Sequence, residues 1–119
     1  MKRLSNDVRK PWGKYYDFAE TKGKWHLKII FVRAHARFSL QKHKKRSEFW
    51  IVAEGRVRAQ KGKKTRTLSV GDSIFINKKE IHRIKAITDA YIVELSIGQH
   101  DEKDIVRLAD DYGRVIKKK

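Results

Sequence analysis

Gln41 and His43 stand two residues apart, Glu48 follows after a short basic turn, and His82 lies in a later hairpin. Side chains two apart on an extended strand share a face, so Gln41 and His43 can act together. A carboxylate, two imidazoles and an amide oxygen gathered on one side of a sheet can bind a divalent cation. This mixture of oxygen and nitrogen donors suits zinc, manganese, iron, cobalt or nickel and does not choose among them. Each piece alone is weak, because a lone histidine is more often structural than ligating. The combination of spacings carries the case: Glu48 is followed by Gly55, and Gly71 by Asn77, Lys79 and His82.

The elements that must position these groups fit within one domain, residues 1–119, with a core at about 8–114 and a basic tail at 115–119. The absence of cysteine excludes disulfides and thiolate zinc sites. No signal-like or membrane-length apolar run occurs, so a cytoplasmic protein with no membrane partner is expected. The net charge of +16 fits nucleic-acid binding, steering of an anionic substrate, or a lysine-rich or heat-adapted composition. The basic residues are scattered through turns and termini, which weighs against a dedicated nucleic-acid site.

Hydrophobic periodicity is of period two. Strands are expected at 25–33, 38–41, 49–54, 56–60, 64–70, 73–77, 82–86 and 91–98, separated by turn signals such as Gly55, Gly62 and Gly71. Such spacing indicates an antiparallel sandwich or barrel, an all-β fold. A helix is expected only at 102–109, where Asp101 could cap and Ile105 and Leu108 share a face. Trp50 and Val52 share the parity of Glu48 and should face the interior. Trp12, Tyr15 and Tyr16 are expected over the barrel or at a dimer contact.

The segments Lys10-Pro-Trp-Gly13, Ser39-Leu-Gln41-x-His43-x-x-Arg46-x-Glu48-x-Trp50, Val52-x-x-Gly55 and Ile81-His82-Arg83-Ile84 form a larger pattern with 104–114. It resembles the cupin domain of type II mannose-6-phosphate isomerases, over about residues 8–114. In many of those enzymes the domain follows a mannose-1-phosphate guanylyltransferase, an activity not expected of this sequence. The resemblance implies a jelly-roll antiparallel β-barrel with the short C-terminal helix. It also implies Gln41, His43, Glu48 and His82 as ligands of one divalent metal, zinc first, and a homodimer formed through sheet edges or exchanged terminal strands.

The activity implied is interconversion of mannose 6-phosphate and fructose 6-phosphate through an enediol, which needs a Lewis acid and a proton-shuttling base. Lys45 and Lys28 are candidate acid/base groups. Arg46, Arg107 and Arg114 are candidate partners for the sugar phosphate, and Trp50 could stack on a sugar face. The sequence departs from the family at Lys44, Lys45 and Phe49, where histidines are usual. Ala34-His35 replaces a Pro-Gly, and Asn77 and Lys79 replace a Pro and a Gly. These departures keep two alternatives open: a non-catalytic metal- or sugar-binding cupin, and an isomerase of another sugar phosphate such as glucose 6-phosphate.

Overall fold

The computed structural model describes residues 1–99, 101 and 103–113. Eleven strands follow in order: β1 (Lys2–Lys10), β2 (Gly13–Thr21), β3 (Trp25–Val32), β4 (Leu40–Lys42), β5 (Arg46–Glu54), β6 (Val57–Lys61), β7 (Lys64–Leu68), β8 (Ser73–Ile76), β9 (His82–Ala86), β10 (Ala90–Gly98) and β11 (Val106–Ala109). They form a six-stranded sheet in the order β1-β2-β3-β10-β5-β8 and a five-stranded sheet in the order β11-β4-β9-β6-β7. Every pairing between these strands is antiparallel, as the period-two pattern anticipates.

The core lies between the sheets, where Ile30, Val32, Trp50, Val52 and Ile92 meet Val57, Ala59, Leu68, Ile84 and Ala86. Parity puts them there: along β3 every second residue is buried, and β10 repeats the pattern for most of its length. The inward parity then changes character partway along three neighbouring strands. Val32 and Ile30 give way to Lys28 and His26 on β3, Ala90 and Ile92 to Glu94 and Ser96 on β10, and Val52 and Trp50 to Glu48 and Arg46 on β5. Register aligns the switch, since Glu94 lies opposite both Lys28 and Trp50 and Ser96 opposite Glu48. One end of the barrel is therefore apolar and the other lined with buried charge.

Three expectations are corrected. The C-terminal segment is not a helix over 102–109: Val106–Ala109 is a strand, with Arg107 opposite Gln41. Pairing with the exposed side of β4 outweighs the weak local helical pattern. The hairpin of β1 and β2 was not anticipated, because β1 is mostly polar and a bulge between Asp17 and Ala19 breaks the alternation of β2. The strand holding Glu48 begins at Arg46, three residues before the expected start at 49. His35 and Lys79, the residues standing where the family has glycine, are the non-glycine residues with left-handed backbone among the described residues, at φ of 68° and 65°.

Candidate metal centre

His43, Glu48 and His82 converge at the polar end of the barrel, and all three are buried. Glu48 comes from β5 and His82 from the start of β9, while His43 directly follows β4. The pairing of Gln41 with His82 brings β4 beside β9. The Nε2 atoms of His43 and His82 lie 2.9 and 3.2 Å from the same oxygen, Glu48 Oε1.

The two imidazoles are oriented from behind. His43 Nδ1 lies 2.7 Å from the Asp104 carbonyl, and His82 Nδ1 2.9 Å from the Glu80 carbonyl. A carbonyl only accepts, so each Nδ1 carries a proton, and in the neutral tautomer each Nε2 offers a lone pair. Glu48 Oε1 is buried with no hydrogen-bond partner among the described residues. In that tautomer three lone-pair atoms face one another, an arrangement that a cation would join. Gln41 lines the same cavity, and its Nε2 donates to the Ser39 hydroxyl at 3.0 Å, which leaves its oxygen as an acceptor. The donor set fits a divalent ion.

Two carboxyls share the buried centre in different protonation states. Burial and the Glu48 charge hold the Glu94 carboxyl well above its ordinary range, with Lys28 opposing. For Glu48, burial is the largest single influence and acts upward, but the neighbouring Glu94, His43 and His82 side chains together hold it well below the ordinary range. Glu94 is thus the neutral donor and Glu48 the ionised acceptor.

The cavity, of about 60 Å³, is lined by Lys10, Lys28, Arg46 and Arg107 as well as by Trp12, Tyr15, Trp50 and Glu94. Lys28 is buried and sits 4.2 Å from the centre of the Tyr15 ring. Arg46 reaches the His43 ring at 3.3 Å and the Asp101 carbonyl at 3.4 Å. Arg46 Nε and Trp50 Nε1 are buried donors without a hydrogen-bond partner among the described residues. Trp50 stands edge-on to His82 with ring centres 5.3 Å apart, so it packs against that histidine within the core.

Of the residues expected at the site, Gln41, His43, Glu48, His82, Lys28, Arg46, Arg107 and Trp50 line one cavity. Lys45 does not: its side chain is exposed, and its turn is tied down by Asp104, whose carboxylate accepts from the backbone N–H groups of Lys44 and Lys45 at 3.1 and 2.8 Å. Arg114 lies outside the described residues. Glu94, Tyr15 and Lys10 were missed. Glu94 carried a signal, since it is the charged member of the apolar parity Ala90, Ile92, Glu94 and should have been read as an inward acid.

Residues 1–110 match the protein family described as mannose-6-phosphate isomerase C-terminal. The chain belongs to that family. It is 37% identical over 111 residues to the alginate biosynthesis protein AlgA of Pseudomonas aeruginosa, covering 91% of this chain and 23% of that protein. It is 31% identical over 116 residues to a mannose-1-phosphate guanylyltransferase of Escherichia coli K12, covering 95% of this chain and 24% of the relative. To the mannose-1-phosphate guanylyltransferase RfbM of Salmonella typhimurium it is 33% identical over 110 residues, with 90% and 23% covered. The chain thus spans about a quarter of the length of the curated relatives it matches.

Among solved structures, KdgF from Halomonas sp. superposes with a TM-score of 0.78 at 16% identity, covering 87% of this chain and 98% of that one. An RmlC-like cupin from Shewanella frigidimarina superposes with a TM-score of 0.75 at 15% identity, covering 83% and 88%. The cupin jelly-roll barrel expected from the sequence is the observed fold. The expected activity is corrected: relatives with names that state a reaction are mannose-1-phosphate guanylyltransferases, so the assignment as a mannose-6-phosphate isomerase is not retained. Among the described residues no helix is long and apolar enough to cross a membrane.

Proposed function

We propose that this chain is a divalent-metal-binding cupin domain that holds mannose 1-phosphate, the sugar phosphate in its relatives' names, in support of guanylyltransferase activity. The observation that carries the reading is the meeting of His43 Nε2, His82 Nε2 and Glu48 Oε1 beside buried cations. Gln41, His43, Glu48 and His82 would hold the ion, with zinc the first candidate and manganese, iron, cobalt and nickel the others. A bound ion would supply Lewis-acid polarisation of a sugar or phosphate oxygen.

The chain's own groups supply the remaining recognition. Arg46 Nε and Trp50 Nε1 are donors that ligand oxygens would satisfy. Arg107, Lys10 and Lys28 line the same cavity and would neutralise a dianionic phosphate. The cavity is open on one side, and the sugar ring would lie at that opening. We assign the nucleotidyl transfer of the relatives to the part of their length that this chain does not match. The positive charge of the chain would draw the sugar phosphate in.

Calorimetric titration of mannose 1-phosphate into zinc-loaded and chelator-treated protein tests the reading. Binding at least about tenfold tighter to the loaded form is expected, with a comparable loss in Arg46→Ala at unchanged metal content. Absence of binding to protein with its metal demonstrably in place would refute it.

A further inference from the structure

We infer that the outer face of the five-stranded sheet docks on the phosphate backbone of a nucleic-acid duplex. The basic residues are scattered along the sequence, but strand register gathers four of them on this face. On β6 and β9 the inward parity, Val57 and Ala59 with Ile84 and Ala86, belongs to the core. Arg58 and Gln60 therefore lie on the outer side, beside Lys85 and Arg83. Arg37, bridged to Lys85 from the other flank, extends the row, and Thr65 of β7 stands opposite Gln60. These six side chains line one open pocket of about 130 Å³, with no acidic and no apolar residue among them.

The fold gains nothing from this arrangement. Like charges directly opposite each other on neighbouring strands destabilise a sheet, yet Lys85 stands between Arg58 and Arg37. Asp111 meets Arg37 through two bonds of 2.6 and 2.8 Å, and Asp110 lies near enough to act on Arg83. Arg58 and Lys85 are both exposed and make no salt bridge among the described residues, so the excess charge sits with them. Arg83 is held by the Phe38 and Ala109 carbonyls, which accept from its Nε and Nη2 at 3.0 and 3.1 Å. Two of the guanidinium groups are thus fixed in advance of any ligand, which lowers the ordering cost of binding.

The chemistry of the face selects among polyanions. A specific protein partner needs apolar anchors at the centre of its contact, and the pocket lining has none. A single-stranded nucleic acid needs aromatic rings for its bases, and these too are absent from the lining. What remains suits a duplex backbone, where Arg, Lys, Thr and Gln side chains meet phosphate oxygens. Four strands about 4.8 Å apart make the face roughly 14 Å across, room for about four phosphates of one strand at about 3.4 Å each. Such contacts read no base edge, so affinity should depend on salt and not on sequence. The metal centre lies on the inner side of the same sheet, where His82 belongs to the inward parity of β9, so the two sites do not overlap.

Fluorescence anisotropy of a labelled duplex DNA of arbitrary sequence, titrated with the full chain at about 0.15 M salt, tests this. Lys85→Glu should weaken binding at least about tenfold and flatten its salt dependence. Lys22→Glu, the same charge change in the turn between β2 and β3, should leave affinity within about twofold. Lys85→Glu sets an acid between Arg58 and Arg37, so it should also raise Tm, which separates lost binding from lost folding. Arg58→Gln, on an exposed position of the same row, gives a second reading of the face and should weaken binding about threefold or more. No duplex binding by the wild type, equal losses in Lys85→Glu and Lys22→Glu, or tighter binding of polyglutamate than of the duplex would overturn the inference.

Discussion

Glu94 and Glu48 occupy one buried site with one negative charge between them, and this division sets the pH behaviour of the metal-free protein. Glu94 is neutral when folded and ionises on unfolding, so its contribution to stability falls as pH rises above the ordinary carboxyl value of 4.5. Glu48 is shifted the other way: its contribution is present above that value and is lost as pH drops. Glu94→Gln removes the first dependence and keeps a donor toward Glu48. Thermal melts of the metal-free variant should therefore lose less stability than wild type between about pH 5 and 7. Identical slopes would contradict a neutral Glu94. Lys79 offers a second test, because its left-handed backbone, whose N–H reaches the His43 carbonyl at 2.6 Å, costs more for lysine than for glycine. Lys79→Gly should stabilise the protein by about 0.5–1 kcal/mol, a rise of a few degrees in Tm. Strand parity linked Gln41 with His43, and the resemblance to the family added Glu48 and His82; all four line one cavity. Lys45 was misread because it sits in a turn, where parity has no meaning, and the acid that shares the pocket sits on a strand remote in sequence.

The connection entering β11 holds the centre from behind. Asp104 accepts from two backbone N–H groups in the turn before β5, and its carbonyl fixes the His43 ring. Burial acts upward on its carboxyl, but the N–H groups of Lys45 and Lys44 and the nearby His43 and Arg46 together pull it below the ordinary range. Asp104→Ala should cost about 1–2 kcal/mol of stability and about tenfold in metal affinity, read from denaturant unfolding and a chelator competition. Unchanged affinity would show that the turn does not orient His43. The return strand was invisible locally, since Ile105 and Leu108 at helical spacing do not reveal that Arg107 pairs with Gln41. The amino-terminal hairpin was hidden for a different reason: the bulge in β2 turns Asp17 and Glu20 to the same side, where they flank the buried His26 at 2.7 and 3.2 Å. Strands carrying unbroken alternation were legible, whereas those relying on a bulge or a distant partner were not.

For the whole molecule, fold and metal pocket were legible together because the spacings that build a cupin barrel also bring its ligands to one end. The reaction was not legible. The same pocket residues belong to a family with relatives named for guanylyl transfer, and a donor set specifies a cation more tightly than it specifies what the cation serves. Metal binding should also be visible as global stability, because a ligand that binds only the folded state raises it by about 2.7 kcal/mol at a hundredfold excess over its Kd. Addition of zinc to metal-free protein should accordingly raise Tm by several degrees, and His82→Ala should abolish the rise. The most direct measurement is the elemental count of divalent ions bound per chain after saturation with zinc and dialysis, compared between wild type and His43→Ala. One ion per chain in the wild type and none in the variant is the expected result; equal counts in the two proteins would contradict a centre built on His43, Glu48 and His82.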